Sequence, residues 1–361
     1  MSDPGQPTKV VSDFESTLHK ADAKVASFEK PGATPLEKLR GFLHTNPTAI
    51  PVFVLVLSIL FFGVAAGGRF FTPTNLSLIL QQVTVTGIIA IAQTIIILTA
   101  GIDLSVGAIM VLASIVMGKL AVQSGLPDPI AIFIGLAAGG LMGYINGFLV
   151  TRLRLPPFIV TLGTLNIFSA LKIWYSHSES IRASDTEAAA PLLIFFGNKF
   201  SIFGASVTYG GIALILLAIG MWYALNWTPW GRHVHAIGDD PDAASLAGIE
   251  TNKVLRSVYV VAGVICAFGA WILIGRVGGT VTPLAGATAN LDSITAVVIG
   301  GTSLFGGRGS IVGSVLGALI VGVFRNGLSL SGVDVLWQDF TVGILIIAAV
   351  AIDQWIRKVS A

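Results

Sequence analysis

Long apolar runs separated by short polar segments fill the sequence from about residue 50 onwards. A helix needs about 20 mostly apolar residues to cross a bilayer, and these runs approach or exceed that length. They lack the alternating ten-residue segments of an outer-membrane barrel. The pattern therefore predicts an all-α integral membrane protein with about ten transmembrane helices, some of them broken or re-entrant. We place them at 50–68, 76–100, 103–123, 129–150, 157–175, 207–225, 255–275, 287–305, 310–329 and 338–356.

The eighth predicted helix carries the weakest signal of the set. Gly286 interrupts its apolar run, and the polar residues Asn290 and Asp292 lie near its start. Non-helical or broken segments occur at membrane depth only where protein or a water-filled cavity covers them. We therefore predict a half-helix or a re-entrant piece here.

The polar stretches divide the rest of the chain. Residues 1–48 are polar and mixed in charge, lack the pattern of a signal peptide, and are interpreted as a cytoplasmic tail with a weak helix at 11–28. A transmembrane domain follows at 49–358, and 359–361 form the C-terminal end. Lys and Arg are more frequent on the side that holds both termini, which predicts that this side is cytoplasmic. The long loop at 176–206 then faces the outside, and the loop at 226–254 faces the cytoplasm.

Composition supports a membrane protein and limits the alternatives. The chain is 54% hydrophobic and only 11% charged, whereas soluble domains carry about 25% charged residues. Such a chain cannot cover a water-facing surface. Its one cysteine, Cys266, excludes an internal disulfide framework.

The stretch from Trp230 to Lys253 is the most sustained polar break in the second half of the chain. Asp240 is a suitable N-cap, Pro241 suits the first helical position, and Gly248 is a suitable stop. A short helix is therefore predicted near 240–248, with few apolar groups to pack it against its own chain. Two interpretations remain open: a capped connector between membrane helices, or a docking element for a soluble partner.

A faint internal repeat relates two segments of the chain. Gly101, Leu104 and Gly107 recur two hundred residues later as Gly301, Leu304 and Gly307. Each set lies between two apolar runs. The matches are either chance in a glycine-rich chain or a sign of the duplicated bundles that transporters use.

The sequence lacks the equipment of several enzyme and cofactor classes. Its one Gly-Lys pair, Gly118-Lys119, is not part of a phosphate-binding loop, so we expect no nucleotide or other cofactor on this chain. His233 and His235 lack the cysteine or carboxylate neighbours of a metal site, so no metal is expected. Lys119, Lys172 and Arg325 are expected to extend to the outer interface, and no mid-membrane carboxylate of an ion-coupled carrier is evident.

Neutral hydrogen-bonding side chains do occur within the predicted helices. They could line a path for a neutral polar solute such as a sugar, or form hydrogen bonds between helices. The candidates are Gln93, Asn146, Thr161, Thr164, Asn166 and Asn326.

Three stretches together resemble a known family: AGIDLSVGA at 100–108, GRHVHAIGDDPDAASLAGI at 231–249 and GGTSLFGGRGS at 300–310. Their order and spacing are similar to those of the permease subunits of bacterial ABC importers for monosaccharides, the ribose, xylose and fructose group. The resemblance covers about residues 50–358. Ala100 and the Asp239-Asp240-Pro241 segment depart slightly from the family pattern.

The resemblance implies an assembly in the bacterial inner membrane. Two permease chains would form the path as a homodimer in lipid, and a periplasmic sugar-binding protein would supply the sugar. Cytoplasmic ATP-binding subunits would use ATP and Mg, so this chain would be neither an enzyme nor a nucleic-acid binder. A self-contained secondary carrier or channel is the main alternative, and a membrane enzyme is a third.

The resemblance also assigns roles to residues. It implies that the cytoplasmic helix near 240–248 transmits the cycle of the ATP-binding subunit, through Gly231, Arg232, Gly238, Asp240, Ala243, Ala244, Leu246, Gly248 and Ile249. It places a second set in motifs near an inner gate: Gly101, Asp103, Ser105, Gly107, Gly301, Gly306, Gly307 and Arg308. From topology alone, Asp103 is interpreted as a cap of the third predicted helix.

Overall fold

Our computed structural model describes residues 48–202, 204–286 and 288–360, so the helix predicted at 11–28 lies outside the described residues. The helices are α1 Ala49–Ala65, α2 Pro73–Leu98, α3 Val106–Gly118, α4 Asp128–Arg152, α5 Pro157–Ser176, α6 Ala183–Ala189, α7 Tyr209–Trp227, α8 Pro229–Asp239, α9 Pro241–Leu246, α10 Thr251–Arg276, α11 Ala289–Ile299, α12 Ile311–Leu330 and α13 Val335–Ser360. A π-helical turn, Lys119–Gln123, continues α3, and 3₁₀ turns cover Gly67–Arg69 and Pro191–Gly197. A small antiparallel hairpin pairs β1 Lys199–Ile202 with β2 Ala205–Thr208.

The helices confirm the predicted all-α membrane fold. Among the described residues, seven helices are long and apolar enough to cross a membrane when α3 is counted with its π-helical turn, and three shorter apolar helices correspond to the first, eighth and tenth predicted runs. The eighth, α11, has 11 residues. At 1.5 Å per residue it is about 16 Å long, roughly half of the hydrocarbon core. The prediction of a half-helix is therefore confirmed.

Helix α2 lies at the centre of the bundle. Every residue from Gly87 to Leu98 is buried, and α2 packs against α7, α10, α11 and α12. In contrast, only 22% of the apolar window of α5 and 28% of that of α7 are buried. These two helices therefore border lipid or another subunit.

Glycines bring α4 and α10 into close contact. Gly139, Gly143 and Gly147 recur every four residues along one face of α4. A Cβ at Gly139 would meet the Gly263 carbonyl oxygen at 2.5 Å, and one at Gly143 would overlap the Tyr259 carbonyl oxygen. Small residues at this spacing let helix backbones approach closely where no hydrophobic effect drives association. This contact fixes α4 relative to α10, and both helices contribute to the site described below.

The predicted outer loop at 176–206 is structured. It contains α6, the 3₁₀ turn and the hairpin, and Ile181 pairs with Val281 as an isolated β-bridge. Leu193, in the apolar patch after Pro191, is fully buried. The loop therefore packs onto the bundle.

Candidate functional site

The three sequence motifs meet at one end of the bundle. The N–H of Gly307 donates a hydrogen bond to the carbonyl oxygen of Leu98 (3.0 Å). The Nδ1 of His235 lies 3.1 Å from the carbonyl oxygen of Gly307. Gly238, near the end of α8, packs directly against the backbone of Leu98 and the backbone of Gly307. We call this set, Leu98, His235, Gly238, Gly306 and Gly307, the junction.

Glycine is required at the junction for space and for backbone conformation. A Cβ at Gly238 would overlap the Leu98 carbonyl oxygen. Gly306 and Gly307 have φ of +86° and +72°, a region that side chains with a Cβ rarely adopt. Gly301, in the same turn, has φ +83°, whereas Arg308 is exposed at the surface. The turn therefore combines positive φ with close approach of backbones.

Helix α8 connects the junction to α9, and the sequence pattern did not predict this helix. Thr228 caps it by accepting a hydrogen bond from the Gly231 N–H (3.2 Å), and Pro229 occupies its first turn. Val234 and Ile237, three residues apart on one face, are buried. This three-residue spacing of apolar side chains could have predicted the helix, but the surrounding charged and histidine residues indicated a loop.

Helix α9 has the predicted cap and stop. Asp240 Oδ1 accepts hydrogen bonds from the N–H groups of Asp242 and Ala243, both at 3.0 Å. Gly248 follows the helix with φ +86°. Leu246 is 90% exposed, whereas Ala244 is buried. The expectation that this helix has nothing of its own chain to pack on is therefore wrong for Ala244, but it holds for the one large apolar side chain.

The residues assigned to coupling fall into two groups. One group is buried and shapes the chain's own packing: Gly231, Gly238 and Ala244. The other is accessible on the surface, with Ile249 half-buried and the rest exposed: Arg232, Asp240, Ala243, Leu246, Gly248 and Ile249. A partner can touch the second group only.

A non-helical segment, residues 99–105, connects α2 to α3 and is largely buried. Asp103 is 1% exposed, and its Oδ1 accepts hydrogen bonds from the N–H and the Oγ of Ser105, both at 2.6 Å. Asn146 Nδ2, from α4, donates to the Ser105 Oγ (2.9 Å) and lies 3.3 Å from the Asp103 Oδ2. An ionised carboxylate in such a place requires hydrogen bonds like these.

Side chains also satisfy the backbone of this segment. With its amide nitrogen facing the Asp103 carbonyl oxygen (3.0 Å), Gln93 places its amide oxygen 3.2 Å from the Asp103 N–H. Thr161, from α5, donates to the carbonyl oxygen of Ile102 (3.0 Å). Irregular backbone is tolerated at membrane depth only when its polar groups are paired in this way. Helices α2, α4 and α5 therefore hold the segment together.

The interpretation of Asp103 as a helix cap is wrong. Helix α3 begins at Val106, so Asp103 lies three residues before its first turn and bonds to Ser105 instead. The N–H of Gly107, in the first turn, instead donates a hydrogen bond to Asn290 Oδ1 of α11 (2.6 Å). Asn290, which is distant in sequence, therefore caps α3 in place of Asp103. Gly101, at the start of the segment, is also buried and lies against Ile96 and Tyr259.

The residues proposed to line a path for the solute differ in burial: five are buried and Asn166 is exposed. Gln93, Asn146, Thr161 and Thr164 are buried, and Asn326 donates to Asn75 Oδ1 (2.9 Å). For these buried residues, the contacts favour hydrogen bonding between helices over a role in the path. Asn166, near the middle of α5, is exposed, and among the described residues it donates to the Leu162 carbonyl oxygen of its own helix (2.9 Å).

An ion-pair cluster joins α11, α12 and α13. Arg325 contacts Asp292 Oδ1 (2.7 Å) and Asp339 Oδ1 (3.1 Å), and Thr288 donates to Asp292 Oδ2 (2.9 Å). The sequence predicted that Arg325 extends to the outer interface, but its guanidinium instead pairs with these two carboxylates. Asp103 and Asp292 are both buried carboxylates. Over the part of the chain that the structure describes, no group of three or more His, Cys, Asp or Glu could hold a metal ion.

Comparison with known proteins identifies the family. Residues 75–350 match the family described as the permease component of the branched-chain amino acid transport system. The chain is 55% identical to the fructose import permease protein FrcC of Rhizobium meliloti, over 97% of both chains. It is 38% identical to the ribose import permease protein RbsC of Bacillus subtilis, over 90% of this chain and 94% of that one. The chain belongs to this permease family.

Within that family the chain is similar to permeases of ABC monosaccharide importers. The D-allose transport system permease protein AlsC of Escherichia coli is 34% identical over 85% of this chain and 91% of its own. No solved structure matched the chain. The protein is therefore a multi-pass inner-membrane permease of the kind found in ABC monosaccharide importers.

Proposed function

We propose that two copies of this chain form a path that imports a monosaccharide from the periplasm, driven by ATP-binding subunits that dock on α9. ATP and Mg would be bound by those subunits, and this chain would bind no cofactor. Both termini would lie in the cytoplasm. The observation that carries this proposal is the exposed Leu246 on a short helix that continues directly into the junction.

The contacts of α8 support a mechanical connection. Asp240 both ends α8 and caps α9, so the two helices are joined without a flexible linker. At its other face, α8 contacts the 300–310 turn through His235 and the end of α2 through Gly238. A force applied at Leu246 would therefore reach the segment that carries Asp103.

The exposure of Asn166 supports a path between subunits. An amide whose carbonyl oxygen faces hydrocarbon leaves a polar group unpaired, which is unfavourable in a bilayer. A second subunit or a water-filled path beside α5 would remove that penalty. We therefore retain Asn166 as a pathway residue and regard the buried Gln93, Asn146, Thr164 and Asn326 as weaker candidates.

The nature of the sugar can be proposed from the relatives. The relative with 55% identity is named for fructose, and those named for ribose and D-allose have lower identity. Fructose is therefore the first monosaccharide to test. Buried carboxylates beside an unwound segment are also typical of ion-coupled carriers, so a self-contained carrier is the second candidate.

Reconstitution in liposomes separates the two candidates. The purified chain is inserted alone, or together with its ATP-binding subunits and sugar-binding protein, and uptake of labelled fructose is measured with ATP supplied on the ATP-binding side. The importer proposal expects uptake only from the complete assembly with ATP. Uptake by the chain alone, driven by a sodium or proton gradient, would establish the carrier instead.

A further inference from the structure

A buried polar group of side chains surrounds Asp103, and two of its atoms have no partner. Among the described residues, nothing hydrogen-bonds to the Tyr259 hydroxyl or to the Asn146 Oδ1. Tyr259 is 1% exposed and Asn146 is 0% exposed. An unpaired buried polar atom costs about 1–3 kcal/mol, and such atoms are frequently paired by ordered water.

Both unpaired atoms lie beside the non-helical segment 99–105. The amide of Asn146 donates to Ser105 Oγ and Asp103 Oδ2 through its Nδ2, and the unpaired Oδ1 belongs to this same amide. The Tyr259 hydroxyl lies 3.1 Å from the point where a Cβ on Gly101 would stand.

The available groups match the hydrogen-bonding capacity of one water molecule. Asp103 Oδ2 and Asn146 Oδ1 are acceptors, and the Tyr259 O–H is a donor that needs an acceptor. A water molecule donates two hydrogen bonds and accepts at least one. A buried water typically makes about three hydrogen bonds to otherwise unpaired groups.

We propose that the protein binds an ordered water molecule beside Asp103, held by the Tyr259 hydroxyl, the Asn146 Oδ1 and the Asp103 carboxylate. The water completes the hydrogen bonding of the non-helical segment. It is bound whether or not sugar is present. The proposal is independent of which sugar the importer carries.

Radiolytic labelling with hydroxyl radicals tests the proposal on the complete transporter in lipid nanodiscs without sugar. Radicals formed from a bound water modify the adjacent side chain even when bulk solvent cannot reach it. We expect Tyr259 to be labelled at a rate similar to that of Phe305, which is 54% exposed in the turn at 300–310 outside the membrane helices. Phe62, 1% exposed and packed against Phe70 and Phe324, is the matched buried control and should stay unlabelled. A Tyr259 as unreactive as Phe62 would overturn the proposal.

The variant Tyr259→Phe removes only the hydroxyl. Labelling of the ring at position 259 should fall to the level of Phe62, while labelling of Phe305 stays unchanged. Undiminished labelling of that ring would show that the hydroxyl does not hold the water. Labelling of wild-type Tyr259 that depends on sodium, or that disappears on addition of saturating fructose, would assign the site to a cation or to a sugar hydroxyl and would also refute the proposal.

Discussion

Adding one methyl group at Gly238 tests the junction. Gly238→Ala places a Cβ where the Leu98 carbonyl oxygen lies, and forces apart the backbones that the Gly307 N–H connects. Overpacking of this kind costs about 1–3 kcal/mol, and the loss of a net hydrogen bond adds about 0.5–1.5 kcal/mol. Because Gly238 lies within α8, the better helix propensity of Ala returns up to about 1 kcal/mol. We expect a net loss of roughly 1–3 kcal/mol.

Gly220→Ala is the matched control. Gly220 lies within α7, and a Cβ there would meet nothing within 4 Å, so only the propensity gain of up to about 1 kcal/mol remains. Thermal melting of the detergent-solubilised chain, followed by size-exclusion chromatography, should show a lower midpoint for Gly238→Ala and an equal or higher one for Gly220→Ala. ATP-driven uptake should fall only for Gly238→Ala. Equal midpoints and equal uptake for the two variants would refute the close contact at the junction.

Three further predictions concern charged and polar groups inside the bundle. Asp103→Asn keeps an acceptor for Ser105 but turns an amide towards that of Asn146, so we expect a folded, active variant with about 1–3 kcal/mol less stability in thermal melting; lost uptake at unchanged stability would show a gating role instead. Arg325→Gln leaves Asp292 buried without its cation and should cost about 3–5 kcal/mol, part of which Asp292→Asn should restore in the double variant; simple addition of the two losses in melting experiments would contradict the pairing. Asn166→Leu should reduce uptake in reconstituted transporters at unchanged stability, and wild-type uptake would remove Asn166 from the path.

The regular part of the fold was predictable because apolar length alone determines where a chain can cross a bilayer. The half-helix α11 was also predictable, since Gly286, Asn290 and Asp292 interrupt a run that would otherwise be long enough. Asp240, Pro241 and Gly248 gave the bounds of α9, because caps and stops act between residues that are close in sequence.

The parts that depend on contacts distant in sequence were not predictable. The Asn290 side chain caps a helix that begins more than a hundred residues earlier, so no local pattern predicts it. The burial of Gln93 and Asn146 depends on the packing of α2 and α4 around residues 99–105, and sequence alone left their role open between path and structure. Arg325 was interpreted from its position near a helix end, because its partners on α11 and α13 are not its neighbours in sequence.

The most direct test of ATP coupling is the binding of the ATP-binding subunit to Leu246→Asp. Leu246 is 90% exposed, and burial of a leucine side chain in a partner's pocket contributes about 1.5–3 kcal/mol, so its loss should weaken the contact at least about tenfold. We expect the variant to insert normally, to lose the ATP-binding subunit during purification, and to show no stimulation of ATP hydrolysis by sugar. Leu246→Met, which keeps an apolar side chain of similar volume, should retain both properties. An Asp variant that keeps its ATP-binding subunit and imports sugar with ATP would show that α9 is only a connector.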